Sequence, residues 1–292
     1  MILVALGYAA HKIKALPPET GKALTRLVLY ITLPCTILGP VIGGDLQITG
    51  GETATFMLIS LSVYLIFSIV AILTSRALGG GKEKQGLIGA SIILGNVAFM
   101  GFPLAQAIFG EGATFYVTLF NIPFWIAAFT IGTAMISGKG GKFNPKSLLS
   151  PPLIAAILVI PLAIAGFRAP GIIISAVRLT GGVTTPASML IVGITLAHVP
   201  IRDVFAEWRL YPMAFVKLIV APLVTWLVLR LFISDELMLG VAVVLAAMPT
   251  AAVVAMIAIE HKKNERIASI GIFLTTLLSA VTIPLIVYFL LV

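Results

Sequence analysis

The sequence predicts an all-α integral membrane protein of ten transmembrane helices, arranged as an inverted 5+5 repeat with broken crossover helices 4 and 9. Three observations lead there. Of 292 residues, 60% are hydrophobic and only 10% charged, and the charges cluster between apolar runs. Four of those runs, Gly86–Gly110, Ala113–Ser137, Leu237–Ile259 and Ile267–Val292, carry no charge and are long enough to cross ~30 Å of hydrocarbon as helices. A soluble α/β chain of this length would scatter charge along every helix face. Finally, motifs of the first half recur at matching places in the second.

Taken in order, span 1 is read over 1–14; its ten residues before His11 are short for a crossing, so it continues through Ile13 and Leu16 or begins upstream. No basic region with a small-residue cleavage site suggests a signal peptide. Span 1 is followed by Lys12, Lys14, Lys22 and Arg26, and span 2 (23–44) by Asp45 and Glu52. Span 3 (53–78) is followed by Arg76, Lys82 and Lys84, and span 4 (86–110) by Glu111. Span 5 (112–137) leads into Lys139, Lys142 and Lys146, the reduced loop 138–150, and span 6 (148–167). Arg202 and Arg209 follow span 7 (171–197), Asp235 and Glu236 follow span 8 (210–233), and Lys262, Lys263 and Arg266 separate span 9 (237–259) from span 10 (266–292).

Basic residues therefore collect after every odd span, with Arg168 and Arg230 the only ones near the acidic loops. The positive-inside rule makes the odd loops cytoplasmic and puts both termini outside a multi-pass cell membrane protein. This topology accounts for the net charge of +8 and leaves no need for a nucleic-acid partner. The single cysteine, Cys35, offers no intramolecular disulfide.

Ten spans divide into repeats of 1–137 and 148–292, and an odd number per half requires the second to enter the membrane inverted. "ITLPCTIL" (31–38) in span 2 aligns without gaps to "VTTPASML" (183–190) in span 7, with Thr32 and Thr184, Pro34 and Pro186, and Leu38 and Leu190 identical. Each span is the second element of its half. "GNVAFMGFP" (95–103) in span 4 and "AAMPTAAV" (246–253) in span 9 are likewise both fourth elements, each a cluster of helix breakers in an uncharged run. Ordinary proline kinks explain either one alone. The symmetric pair favours two interrupted helices around Gly95, Gly101, Pro103 and Pro249, with half-helices starting near the membrane centre.

Amides around Leu104, Ala105, Thr250, Ala251 and Ala252 would then face one region, and each helix start acts as roughly half a positive charge. Two together hold an anion without Lys or Arg. The ends of the preceding half-helices expose carbonyls that suit a cation instead, but no Asp or Glu lies inside any span away from its ends. This favours an organic anion. Asn96 and Asn121, the latter in "FNIPFW" (120–125), can each donate to a carboxylate or act as interhelical glue.

At these residues the sequence resembles the auxin efflux carrier family, including its short prokaryotic members. "GNVAFMGFPLAQAIFGEGA" (95–113) and "AAMPTAAVVAMIAIEHKKN" (246–264) look like that family's two crossover helices, and "TLPCTIL" and "TTPASML" like its second and seventh. The resemblance implies a bile-acid/sodium symporter-like fold, usually a homodimer. It implies a scaffold of 1–44 plus 148–197 and a transport domain of 52–137 plus 210–292 that moves as an elevator. By the same similarity Asn96, Pro103 and Pro249 take crossover positions, and Asn121 falls close to a substrate-contacting position. The plant carriers' long hydrophilic loop is reduced here to 138–150, which weakens any claim to auxin as cargo.

Other residues point elsewhere or nowhere. Arg178 and Lys217 are cations inside spans 7 and 8, each close enough to a span end to snorkel or to serve function. His11, His198 and His261 are too far apart for a metal cluster, and no cofactor is expected. Trp125, Trp208 and Trp226 suit interfaces and packing. "GGGKEKQG" lacks the Lys-Ser or Lys-Thr pair of a phosphate loop, and the edge histidines do not suit intramembrane serine proteolysis. The chain is therefore expected to be a carrier of a small organic carboxylate in the bilayer and not an enzyme. Asn96, Asn121 and Thr250 would bind substrate, between the broken spans and a scaffold face bearing Thr32, Pro34, Thr184 and Pro186. A channel, or a Na⁺-coupled symporter of the bile-acid type, would use the same polar centre. Substrate identity, direction and energy coupling are not encoded legibly.

Overall fold

A chain in lipid must satisfy its backbone amides internally, and among the described residues all regular structure is helical apart from one antiparallel bridge between Gly95 and Thr250. The structure, a computed structural model, describes residues 2–17, 19–44, 50–138, 151–197, 199 and 207–291. Asp45, Lys139, Lys142, Lys146, His198 and Arg202, and the 148–150 start of span 6, lie outside them.

Six helices are long and apolar enough to cross a membrane: α2 (Thr20–Ile42), α3 (Gly50–Leu78), α6 (Ala113–Ser137), α8 (Gly171–Ala197), α9 (Leu210–Leu229) and α12 (Glu265–Leu290). The segments read as spans 1, 4, 6 and 9 are shorter or interrupted. They comprise α1 (Ile2–Lys12), α4 (Gly81–Ile93) with α5 (Val97–Phe109), α7 (Pro151–Ile164), and α10 (Glu236–Ala246) with α11 (Val253–Glu260). Length and composition alone thus identify six spans.

Prolines inside these helices are accommodated rather than avoided. Proline has no N–H and its ring collides with the carbonyl four residues back. Wider π-helical turns at Val28–Thr32, Val97–Gly101 and Val216–Val220 immediately precede the α-helical stretches that carry Pro34, Pro103 and Pro222 in their first two positions. The widened turn changes the hydrogen-bond register where the ring would otherwise clash.

The chain packs as two units. One comprises Met1–Met57, Ala98–Ile122 and Lys146–His198. Within it α1 lies directly on α8: a Cβ at Gly7 would strike the Leu190 carbonyl, and one at Gly193 the Val4 carbonyl. Such small-residue contacts let backbones approach where lipid supplies no hydrophobic drive between helices. The other unit comprises Leu58–Val97, Pro123–Pro145 and Val199–Val292. Gly86 meets the Met135 carbonyl in the same way, and Val241 to Met248 are completely buried.

Candidate functional site

In the second unit the two helix interruptions cross. α4 stops at Ile93 because Leu94 turns to an extended conformation, and α10 stops at Ala246, three residues before Pro249. A residue preceding proline is sterically disfavoured in the α region and proline itself offers no N–H, so Met248 and Pro249 favour a stop here. The freed backbone groups satisfy one another: the Asn96 N–H donates to the Pro249 carbonyl at 2.6 Å and the Ala251 N–H to the Leu94 carbonyl at 2.8 Å. α12 supports the crossing, since the Thr250 N–H donates to Thr275 Oγ1 at 3.1 Å and that hydroxyl donates on to the Gly271 carbonyl at 2.7 Å. Thr250 Oγ1 donates to the Ser91 carbonyl at 3.0 Å.

Gly95, Asn96, Pro249 and Thr250 are therefore brought together, with Asn96 7% exposed and Thr250 fully buried. Two expectations change in detail. The interruption of span 4 is at Leu94–Asn96, while Gly101 ends the π-turn and Pro103 sits inside the helix that begins at Val97, as do Leu104 and Ala105. The Thr250 and Ala251 amides, expected to await an anion, are committed to Thr275 and Leu94, because pairing the two breaks consumes their donors.

A cation that the sequence allowed either to snorkel or to serve function stands beside this crossing. Lys217 lies in the π-turn of α9 and is fully buried, so it does not snorkel. Its Nζ is 4.4 Å from the centroid of the Phe67 ring. A Cβ built on Gly95 would lie 3.1 Å from that Nζ and 3.4 Å from the Met248 carbonyl. Among the described residues Nζ has no hydrogen-bond partner. Both α4 and α10 end at the crossing, and a helix C-terminus carries roughly half a negative charge, which offsets part of the cost of a positive group here and leaves it without a full counter-charge. A lysine flanked on each side by apolar residues in "PMAFVKLIVAPLV" was the available signal, but its distance from the span edge allowed snorkelling.

The first unit holds the other predicted residues. Thr184 Oγ1 donates to Thr32 Oγ1 at 2.8 Å, joining α8 to α2 through residues that align in the sequence repeat. Thr36 Oγ1 lies 2.7 Å from Thr184 Oγ1, 2.9 Å from the Gly181 carbonyl and 3.0 Å from the Thr32 carbonyl, so its one hydrogen serves a single acceptor at a time. Pro34 is half-buried and Pro186 exposed on the same two helices. Asn121 is buried on α6, and its Nδ2 donates to the Val117 carbonyl of its own helix at 2.8 Å. A cavity of about 350 Å³ in this unit is lined by Cys35, Thr36, Gln106, Glu111, Arg178 and Thr185, among others. Gln106 donates to Thr114 Oγ1 at 2.9 Å and reaches Glu111 Oε2 at 3.4 Å. Among the described residues no group of three or more His, Cys, Asp or Glu side chains is placed to hold a metal ion.

Comparison with known proteins covers almost the whole chain. A family model described as membrane transport protein matches residues 1–147 and 140–287. An uncharacterized transporter of Methanocaldococcus jannaschii is 27% identical over 299 residues, spanning 98% of this chain and 94% of the relative. An uncharacterized transporter of Methanothermobacter thermautotrophicus is 26% identical with the same coverage. A putative malonate transporter of Rhizobium meliloti is 26% identical over 301 residues, spanning 98% of this chain and 92% of the relative.

Proposed function

Given that the chain belongs to the membrane transport protein family, the auxin efflux carrier-like group that its sequence resembles, we propose that this multi-pass membrane transporter is a secondary carrier of small organic carboxylates. The observation that carries the reading is the crossing of two interrupted helices, each fourth in its half of the sequence, in a region with no intramembrane acid to hold a coupling cation. A polar centre built from interrupted helices is what alternating access requires: a small site that either side can reach in turn. Asn96 supplies a neutral donor at that centre, and Gly95, Pro249 and Thr250 hold its shape.

In this reading the ten spans form an inverted 5+5 repeat and the protein works as a homodimer by elevator-type motion. Residues 52–137 plus 210–292 carry the site, and 1–44 plus 148–197 form the scaffold. Thr32, Pro34, Thr184 and Pro186 shape the scaffold, and Asn121 contacts cargo as well as its own helix. The relative described as a putative malonate transporter suggests short dicarboxylates as first candidates. The test is a thermal-unfolding screen of purified protein against acetate, lactate, malonate and succinate, since a ligand of the folded state stabilises it by mass action. At least one is expected to raise the midpoint in a saturable manner, with uptake unchanged when choline replaces Na⁺. Stabilisation by none, or only in the presence of Na⁺, overturns the proposal.

A further inference from the structure

Lys217 raises a problem that the packing around it does not solve. A charged Lys217 has three donors and none meets an acceptor among the described residues, although the side chain is completely buried. The Phe67 ring face at 4.4 Å offsets only part of the cost of a desolvated cation. Buried polar groups are nearly always paired, and one that is not calls for an occupant or a function. The elements around it supply no acid: the described acidic residues of α3, α4, α10 and α12 are Glu52, Glu83, Glu236 and Glu265, each in the first turn of its helix.

Most of the crossing's own donors are already spent and supply no full charge for an anion. The Asn96, Thr250 and Ala251 amides and the Thr250 hydroxyl already donate within the protein. Among the described residues, what remains near the crossing to attract a carboxylate is the Asn96 side chain, the Ala252 amide before α11 and, as the one group able to carry a full charge, the Lys217 side chain. Gly95 lets the lysine end come this close to the crossing backbone, because even a methyl group there would lie only 3.1 Å from Nζ.

We infer that Lys217 selects the charge of the cargo: its buried ammonium is the group that receives the substrate carboxylate at the Gly95–Thr250 crossing. The inference rests on the carrier reading above and adds to it the residue that makes the site an anion site. A charge-assisted pair in a water-poor site is strong and directional, and the same lysine left alone is a liability in the empty protein. Removing it should cost binding and not stability, whereas a lysine that merely neutralises the two helix C-termini would show the reverse.

The experiment measures thermal unfolding of the full-length wild type, K217M and K217R in detergent. The probes are whichever of acetate, lactate, malonate and succinate stabilises the wild type most, and the corresponding amide. The wild type should prefer acid over amide by roughly 30-fold or more. K217M should lose that preference, with a ligand-free midpoint equal to or above the wild type's, and K217R should retain part of it. Stabilisation of K217M by the acid as strong as that of the wild type overturns the inference and leaves the carrier reading standing. A lower ligand-free midpoint for K217M also overturns it, by showing that the charge already serves the empty structure. If no acid stabilises even the wild type, the carrier reading fails first and the inference with it.

Discussion

Asn96, proposed to bind the cargo, would serve the fold and the site with different atoms. Its main-chain N–H closes the crossing on Pro249 at 2.6 Å, whereas its side chain is free to be changed without touching that bond. Asn96→Ala should therefore leave the unfolding midpoint within a few degrees of wild type while weakening carboxylate affinity by about tenfold or more, the scale of a lost hydrogen bond to a charged group. Titration of ligand-dependent stabilisation measures both, and unchanged affinity removes Asn96 from the site. That Asn96 lies at an interruption was legible, because an asparagine beside a glycine in an uncharged run disfavours helix. Lys217 was less legible: seven residues from the start of its span it could reach either water or the interior. Only the placement of Phe67 and Gly95, distant in sequence, decides for the interior.

At the scale of elements, the interrupted helices depend on α12, which never enters the sequence motifs. Thr275 on α12 accepts the Thr250 N–H that the break leaves without a helical partner. Thr275→Val keeps the shape and strands that buried donor, so it should destabilise the protein by ~1–3 kcal/mol, read as a lower unfolding midpoint; an unchanged midpoint would mean the crossing is held elsewhere. Pro249 marked its interruption directly, because proline and the residue before it both resist helix. Pro103 did not, since proline near the start of a helix is tolerated and a π-turn precedes it. The true interruption at Leu94–Asn96 depends on pairing with a segment more than half the chain away, which local propensity does not encode. Thr32 and Thr184 were singled out by the matched octapeptides, but the hydrogen bond between them is visible only in the structure.

For the whole molecule, composition alone established a helical membrane protein, and the loop charges carry a definite orientation. If the loop charges orient the chain as the positive-inside rule expects, a cysteine placed at Lys263 in a Cys35→Ser background should react with a membrane-impermeant thiol reagent from the cytoplasmic face only; reaction from the outer face would invert that expectation. Transport itself is the larger claim. Proteoliposomes loaded with unlabelled malonate and diluted into labelled malonate test it most directly. A carrier with alternating access exchanges one for the other, so the account predicts transient, saturable accumulation of label above its equilibrium level that vanishes without internal malonate. Flux that rises linearly with concentration, is indifferent to internal malonate and appears as conductance would contradict it.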